Sequence, residues 1–228
     1  MPDPVPVPLD EASLVQALAD LSRRDPDLAR IFQTLGAPPM WSREPGFATL
    51  LLIMLEQQVS LASAAAAFRR LLDAASPLTP QSFLRLDDDA LKAIGFSRQK
   101  IVYGRHLAHS MLSGSLNLDA LVRMDDGAAK AELMKIKGIG SWTADIYLLR
   151  ALGRPDIWPG GDLALAIAVQ QIKGLPARPS ASELDAISAV WRPWRAVAAR
   201  LLWHYYLHRP APRQSPKMTA QAQASQES

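Results

Sequence analysis

Apolar residues recur every three or four positions along most of this 228-residue chain, while strict apolar–polar alternation is rare. Leucine and alanine dominate the recurrent positions and β-branched residues are few, a composition that favours helix over strand. The first ten residues are proline-rich and read as an extended leader. Leu14, Leu18 and Leu21 then mark one helix, and a second runs from Leu28 to Leu35, where Gly36-Ala37-Pro38-Pro39 stops it. Residues 46–73 form a long apolar stretch interrupted by the polar knot Glu56-Gln57-Gln58, which predicts two helices meeting there. Pro77 and Pro80 break the chain; short helices over 80–86 and 87–94 and a longer one over 98–112 follow. Asn117–Met124 and Asp126–Lys135 read as two more, and Lys137-Gly138-Ile139-Gly140 as a turn. Ser141 is then expected to cap a helix reaching Leu152. Gly153-Arg154-Pro155 ends it, Trp158-Pro159-Gly160-Gly161 is a loop, and Asp162 opens a helix over 163–172. The last helices cover about 182–191 and 193–207. From Pro210 the Gln, Ser, Ala and Pro content predicts a disordered tail, 210–228. The fold class is all-α, with one helical domain over 11–209.

Composition narrows the chemistry. With 49% hydrophobic residues and 21% charged, the chain can bury a sizeable core. It has no cysteine, which removes disulfides, thiolate zinc sites and iron–sulfur clusters. His106/His109 and His204/His208 have helical spacing but no accompanying carboxylate motif, so they read as surface or boundary residues rather than ligands. The net charge of +3 is compatible with a phosphate-binding face without demanding one. No apolar run is long enough to span a membrane and no secretory leader is read, so a cytoplasmic protein is expected.

The most informative segment is Leu133-Met134-Lys135-Ile136-Lys137-Gly138-Ile139-Gly140-Ser141-Trp142-Thr143-Ala144. Glycines in the turn permit a sharp reversal and leave N–H groups uncovered. Those groups, with the following helix N-terminus, can hold a phosphate oxygen. Gly138, Ile139, Gly140, Ser141 and Thr143 are therefore candidates for gripping a nucleic-acid backbone, with Lys135 and Lys137 adding charge. The turn alone fits a plain packing unit equally well.

Taken with its surroundings, the segment resembles the helix-hairpin-helix of the HhH-GPD DNA glycosylase superfamily, which ends in a Gly/Pro-rich loop and an aspartate. Here the hairpin spans about 126–152 and the loop 158–162, and Asp162 follows Trp142 by 162 − 142 = 20 residues. Glu56-Gln57-Gln58-Val59-Ser60, Ile94-Gly95-Phe96-Ser97-Arg98-Gln99-Lys100 and Trp191-Arg192-Pro193-Trp194-Arg195 followed by Trp203 resemble further segments of the DNA-3-methyladenine glycosylase II branch, so that the likeness covers roughly residues 40–208. The β-rich N-terminal domain of some members is not recognised. Lys137 stands where many members have proline, and Glu56 where a small residue is more usual.

The resemblance implies a two-lobed helical fold with the DNA-binding cleft between the lobes. It makes Asp162 the catalytic carboxylate, a role for which a helix start is apt because the positive end of the dipole attracts an anion. An aspartate there is also a common helix cap. Trp142, Trp203 and Glu56 would line a base pocket, in which an indole face attracts a cationic methylated purine; core packing is the alternative for either tryptophan. Superfamily members that also cut the strand carry a lysine where this chain has Trp142, which implies a monofunctional enzyme leaving an abasic site. Gln58, with Gln57 as the lesser candidate, would fill the gap left by an everted base. No cofactor is required, although carbonyls of Met134, Ile136 and Ile139 match positions that hold a structural Na+ or K+. Arg98, Lys100 and Arg105 are either backbone contacts or a solvated face. The expected partner is double-stranded DNA carrying alkylated bases, with the protein a monomer acting at the nucleoid and no membrane involved. The competing readings are a glycosylase for oxidised or mismatched bases and a non-catalytic DNA-binding module.

Overall fold

A computed structural model describes residues 5–209, so the expected tail lies outside the described residues. Among these, thirteen α-helices and one 3-10 helix form the chain, with no strand. They are α1 (Glu11–Arg24), α2 (Pro26–Leu35), α3 (Phe47–Glu56), α4 (Leu61–Ala74), α5 (Pro80–Leu84), α6 (Asp88–Ile94), α7 (Arg98–Leu112), α8 (Leu118–Leu121), α9 (Asp126–Met134), α10 (Ser141–Arg150), α11 (Leu163–Ile172), α12 (Ala181–Ser188), the 3-10 turn Ala189–Trp191 and α13 (Arg195–His208).

The helix starts follow from short polar side chains. Asp10, Asp25, Ser60, Thr79, Asp87, Ser97, Asn117, Asp125, Asp162 and Ser180 each accept a backbone N–H of the turn they precede. Each such cap stabilises its helix by about 1 kcal/mol. By contrast α3, α10 and α13 begin without a side-chain cap. The α10 start corrects the expectation for Ser141. Gly140, in extended conformation, occupies the cap position, and Ser141 is the first helical residue. Its hydroxyl instead donates to Asp145 Oδ2 at 3.3 Å. α10 also stops at Arg150 rather than Leu152, and the helix expected over 117–124 is a single turn. The segment expected over 182–191 finishes as the 3-10 turn, and α13 starts only after Pro193 and Trp194.

The helices pack as two lobes around one continuous core. In one, α13 lies against α1, α2 and α11, with α12 beside α11; in the other, α3 packs on α4, α7 and α10, α5 on α7, α4 on α6, and α9 on α10. Every residue of α10 from Thr143 to Leu149 is buried, which makes it the central rod. Arg200 of α13, 1% exposed, ties the lobes together. Its guanidinium donates to the carbonyls of Met40 at 2.9 Å, Leu149 at 3.0 Å and Ala196 at 3.0 Å, so its charge is buried with matched acceptors. Among the described residues, no helix is long and apolar enough to cross a membrane.

Candidate active site

The bend between α9 and α10 is pinned by Gly138. Its φ of +94° suits glycine, and a Cβ there would lie 2.4 Å from Cγ of Tyr103, whose ring packs against the turn from α7. Ile136 and Ile139 anchor the bend in the core, and the Ile139 N–H donates to the Ile136 carbonyl at 3.0 Å. Gly140 differs: its φ is −92° and a Cβ would meet nothing within 4 Å. The space in front of the uncapped start of α10 is therefore open, which is what an approaching anion requires. Lys137 is exposed at this turn. Lys135 is also exposed and pairs with Glu132 at 2.5 Å. Thr143, expected among the backbone-gripping residues, is only 2% exposed and faces inward.

Thr143 faces inward because of Gln57. The Gln57 side-chain amide donates to Thr143 Oγ1 at 2.7 Å and to the Gly138 carbonyl at 2.9 Å, latching the end of α3 to the hairpin. Gln57 is thus an internal strut in this structure, not a protruding plug. Its neighbour Gln58 is exposed and held at φ +57°, an uncommon conformation for a residue with a side chain. Lys100, considered above as a DNA contact, instead donates to the carbonyls of Leu55 at 2.6 Å and Gln57 at 2.9 Å. It closes the C-terminus of α3, and burial lowers its pKa from the usual lysine value. Arg105 is likewise engaged, with Asp88 and the Leu86 carbonyl. Arg98 is exposed.

Asp162 stands at the opposite side of the α10 start. Its own N–H donates to the Pro159 carbonyl at 2.9 Å, which fixes the loop, and its Oδ1 accepts the Leu165 N–H at 3.0 Å as the cap of α11. Both tryptophans singled out above converge on the same carboxylate. Trp142 Nε1–H donates to Oδ2 at 2.9 Å and Trp203 Nε1–H to Oδ1 at 3.2 Å. Gly160 permits the loop to pass close to α12, since a Cβ there would lie 2.6 Å from Asp185 Oδ1. Trp142 is partly exposed, whereas Trp203 is 6% exposed. Trp203 and Trp41 meet in a T-shaped pair, at 6.4 Å between ring centroids, and the Arg150 guanidinium lies over the Trp203 indole at 5.1 Å. One face of Trp203 therefore already carries an internal cation.

Glu56 is not a second free carboxylate. Arg43 holds it in a two-pronged ion pair, at 3.1 and 2.6 Å. Both line an open groove of about 390 Å3 together with Leu52, Ala65, Phe68 and Arg150. On the far side of the hairpin, Asp145 accepts from Lys130 at 2.8 Å, yet burial raises its pKa above the ordinary aspartate value. The exposed Met134 ends α9 just before the turn. No group of three or more His, Asp or Glu side chains able to hold a metal occurs among the described residues. The His204 and His208 rings lie tilted against each other, 4.4 Å between centroids, and His204 Nε2 lies 3.2 Å from the Leu35 carbonyl. Trp41, Arg43 and Arg150 escaped sequence reasoning because each acquires its neighbours only through the tertiary fold.

A glycine-pinned hairpin beside a helix-capping aspartate that two indoles bind defines a class. The family model of the HhH-GPD superfamily of base excision DNA repair proteins matches residues 51–193, and the chain belongs to that family. Individual relatives agree. The chain is 33% identical over 119 residues to a DNA-3-methyladenine glycosylase of Bacillus subtilis, covering 52% of this chain and 39% of that one. It is 28% identical over 199 residues to DNA-3-methyladenine glycosylase 1 of Schizosaccharomyces pombe, covering 84% and 87%. The solved structure of the Schizosaccharomyces pombe 3-methyladenine DNA glycosylase in complex with abasic DNA superposes with a TM-score of 0.78 over 82% of this chain and 95% of that one. A Bacillus halodurans DNA-3-methyladenine glycosidase structure, 28% identical, superposes with a TM-score of 0.70 over 85% and 88%. The chain spans 43% and 21% of the length of the first two curated relatives it matches, under half of each.

Proposed function

We propose that this chain is a monofunctional DNA glycosylase that everts an alkylated purine from duplex DNA and hydrolyses its N-glycosidic bond, leaving an abasic site. The observation that carries this reading is the convergence of Trp142 and Trp203 on Asp162. A carboxylate offers about four lone-pair directions. Three are taken, by Leu165 N–H, Trp203 and Trp142. The remaining one, on Oδ2, is free for the sugar or a water molecule, and the three bonds prevent the group from turning away.

Departure of the base builds positive charge on the deoxyribose, and a fixed anion beside it stabilises that state without reorganising at the moment of reaction. The same oxygen can orient or deprotonate the water that adds to the anomeric carbon. Trp142, partly exposed beside Asp162, supplies an indole face for a cationic base such as 3-methyladenine or 7-methylguanine. It offers no amine for a Schiff base, so strand cleavage is not part of the reaction. Gln58 fills the vacated stack, while Gln57 holds that loop against the hairpin. The N–H groups of Gly138, Gly140 and Ser141, with Lys137 nearby, grip the phosphates flanking the everted nucleotide, while the Ile139 N–H is spent inside the bend. A Na+ or K+ would fit the hard carbonyl oxygens of Met134, Ile136 and Ile139, tightening the phosphate grip; the Ile136 carbonyl already accepts one N–H and retains a second lone pair.

The test is incubation with methylated duplex DNA, measuring freed bases and alkali-labile sites. Base release with breaks appearing only after alkali is expected. Asp162→Asn should lower release about 10²- to 10⁴-fold with DNA binding retained. Strand breaks without alkali, or undiminished release by the variant, would overturn the assignment.

A further inference from the structure

Arg150 carries a partly buried guanidinium that makes no hydrogen bond or ion pair among the described residues. Its Nε is buried and has no hydrogen-bond partner. Glu56, whose charge acts on Arg150, is already held at both oxygens by Arg43. A buried donor left unmatched costs about 1–3 kcal/mol, so its presence calls for an explanation.

Its position supplies one. On one side the guanidinium lies 5.1 Å over the Trp203 ring, and that same indole donates to Asp162 at 3.2 Å. On the other it lines the 390 Å3 groove whose walls include Leu52, Ala65 and Phe68. Arg150 is thus the residue shared by the groove and the Trp203–Asp162 pair. The volume is in the range of small-ligand sites, whose usual lining is apolar walls with a few convergent polar groups; here the polar groups are Arg150, Arg69 and the mutually paired Arg43 and Glu56.

We propose that Arg150 reads the acceptor edge of the everted purine and stabilises its departure when that base is neutral. This rests on the glycosylase reading above. When the bond between C1′ and a neutral purine breaks, its electron pair goes to the base, which leaves with negative charge before taking a proton from water. The sugar cation beside Asp162 gains the oxygen of water, which releases a proton in turn. A guanidinium donating to O6 or N7 of the purine offsets the negative charge as it develops. A methylated, cationic purine leaves as a neutral molecule and gains nothing from a cation at that edge. A phosphate is the poorer partner, because Arg150 is partly buried behind an indole whereas phosphates ride on the open hairpin. Arg150 therefore separates two substrate classes that Asp162 serves alike.

The experiment compares single-turnover release of hypoxanthine, a neutral base, and of 7-methylguanine, a cationic one, from duplexes carrying either. Arg150→Met should slow hypoxanthine release about 100-fold and 7-methylguanine release far less, with thermal denaturation showing that the variant is folded. Arg150→Lys keeps the charge but loses the planar fork, and should retain part of the hypoxanthine rate. Equal losses on both bases, or none on hypoxanthine, would overturn the role. If the unsubstituted chain frees 7-methylguanine but no hypoxanthine, the Arg150 proposal fails while the glycosylase reading stands. If it frees neither, both fail.

Discussion

Substituting the two hairpin glycines should separate stability from DNA binding, because the structure assigns them opposite surroundings. In Gly138→Ala the new methyl group meets Tyr103 at 2.4 Å from Cγ, 2.5 Å from Cδ2 and 2.8 Å from Cβ, so the ring or the bend must shift. Overpacking of this kind costs about 1–3 kcal/mol. The φ of +94° adds about 1–2 kcal/mol for any residue with a Cβ. The sum, about 2–5 kcal/mol, corresponds to a fall in Tm on the order of 4–20 °C for a chain of this size. Gly140→Ala has φ −92° and no atom within 4 Å of its new Cβ, so its Tm should stay close to that of the unsubstituted chain. Its methyl group instead projects into the space where a phosphate must approach the α10 start, and affinity for duplex DNA should fall about tenfold or more. Thermal denaturation and a salt-controlled binding titration read the two effects. Adding Tyr103→Ala to Gly138→Ala should recover part of the lost stability, since the overlap is with that ring. Equal destabilisation by both alanines, or unchanged DNA affinity in Gly140→Ala, would refute the division of labour.

The Gln57-Gln58 pair should divide in a similar way: Gln57→Ala loses two hydrogen bonds to the hairpin and about 1–3 kcal/mol by thermal denaturation. Gln58→Ala should leave Tm unchanged and weaken the fluorescence change of a base analogue placed at the lesion, which reports eversion. Trp142→Phe keeps an aromatic face but removes one donor to Asp162, and should slow single-turnover base release about tenfold at unchanged Tm. Asp25 is buried beneath the lobe built on α13; burial pushes its pKa up, but hydrogen bonds from Lys173 and Trp191, the Lys173 charge and the Leu28 N–H outweigh it and hold the carboxyl below its ordinary value. That stabilisation is complete above the unfolded pKa of about 3.9 and drains away as pH falls through the depressed native value, so Lys173→Met should cost about 2 kcal/mol at neutral pH and the gap should narrow in acid unfolding curves.

Much of the fold is written in local terms, and the departures are instructive. The 3.6-residue apolar period located α7 over its full length and α11 as well, because a helix with one buried face and a capping Ser or Asp leaves both marks in the chain. Ser141 misled because serine commonly caps, but Gly140, in extended conformation, takes the cap position and Ser141 falls one residue inside α10. The helix expected over 117–124 was overextended because α8 ends after one turn at Leu121, and the carbonyls of Leu121, Val122 and Met124 turn instead to the buried Arg154 at 2.9–3.1 Å. Asp162 and Trp142, which a hydrogen bond joins in the structure, were singled out together through their spacing and the resemblance it carries. Long-range partnerships left no local mark: Gln57 with Thr143, Arg43 with Glu56, and Arg150 with Trp203 join residues 13 to 86 positions apart. They made Gln57, the lesser plug candidate, a strut, and they engaged Glu56, which lines the groove, in an ion pair.

The helix-cap and catalytic readings of Asp162 describe one geometry. Capping α11 uses a single oxygen, Oδ1, and thereby fixes the plane of the carboxylate; Trp142 then engages Oδ2 and leaves its second lone pair outward. Stability and the proposed chemistry would consequently draw on different atoms of the same side chain, and they can be separated experimentally. Asparagine retains an oxygen for the cap but presents an NH2 group toward the donating Trp142 N–H, a donor facing a donor, so Asp162→Asn combines lost charge with an unmatched indole. Serine caps as well as asparagine, is too short to reach the indole, and carries no charge. If the carboxylate acts on the sugar, Asp162→Ser should melt near the unsubstituted chain yet release base no faster than Asp162→Asn; if Asp162 were only a cap, serine would restore release along with stability.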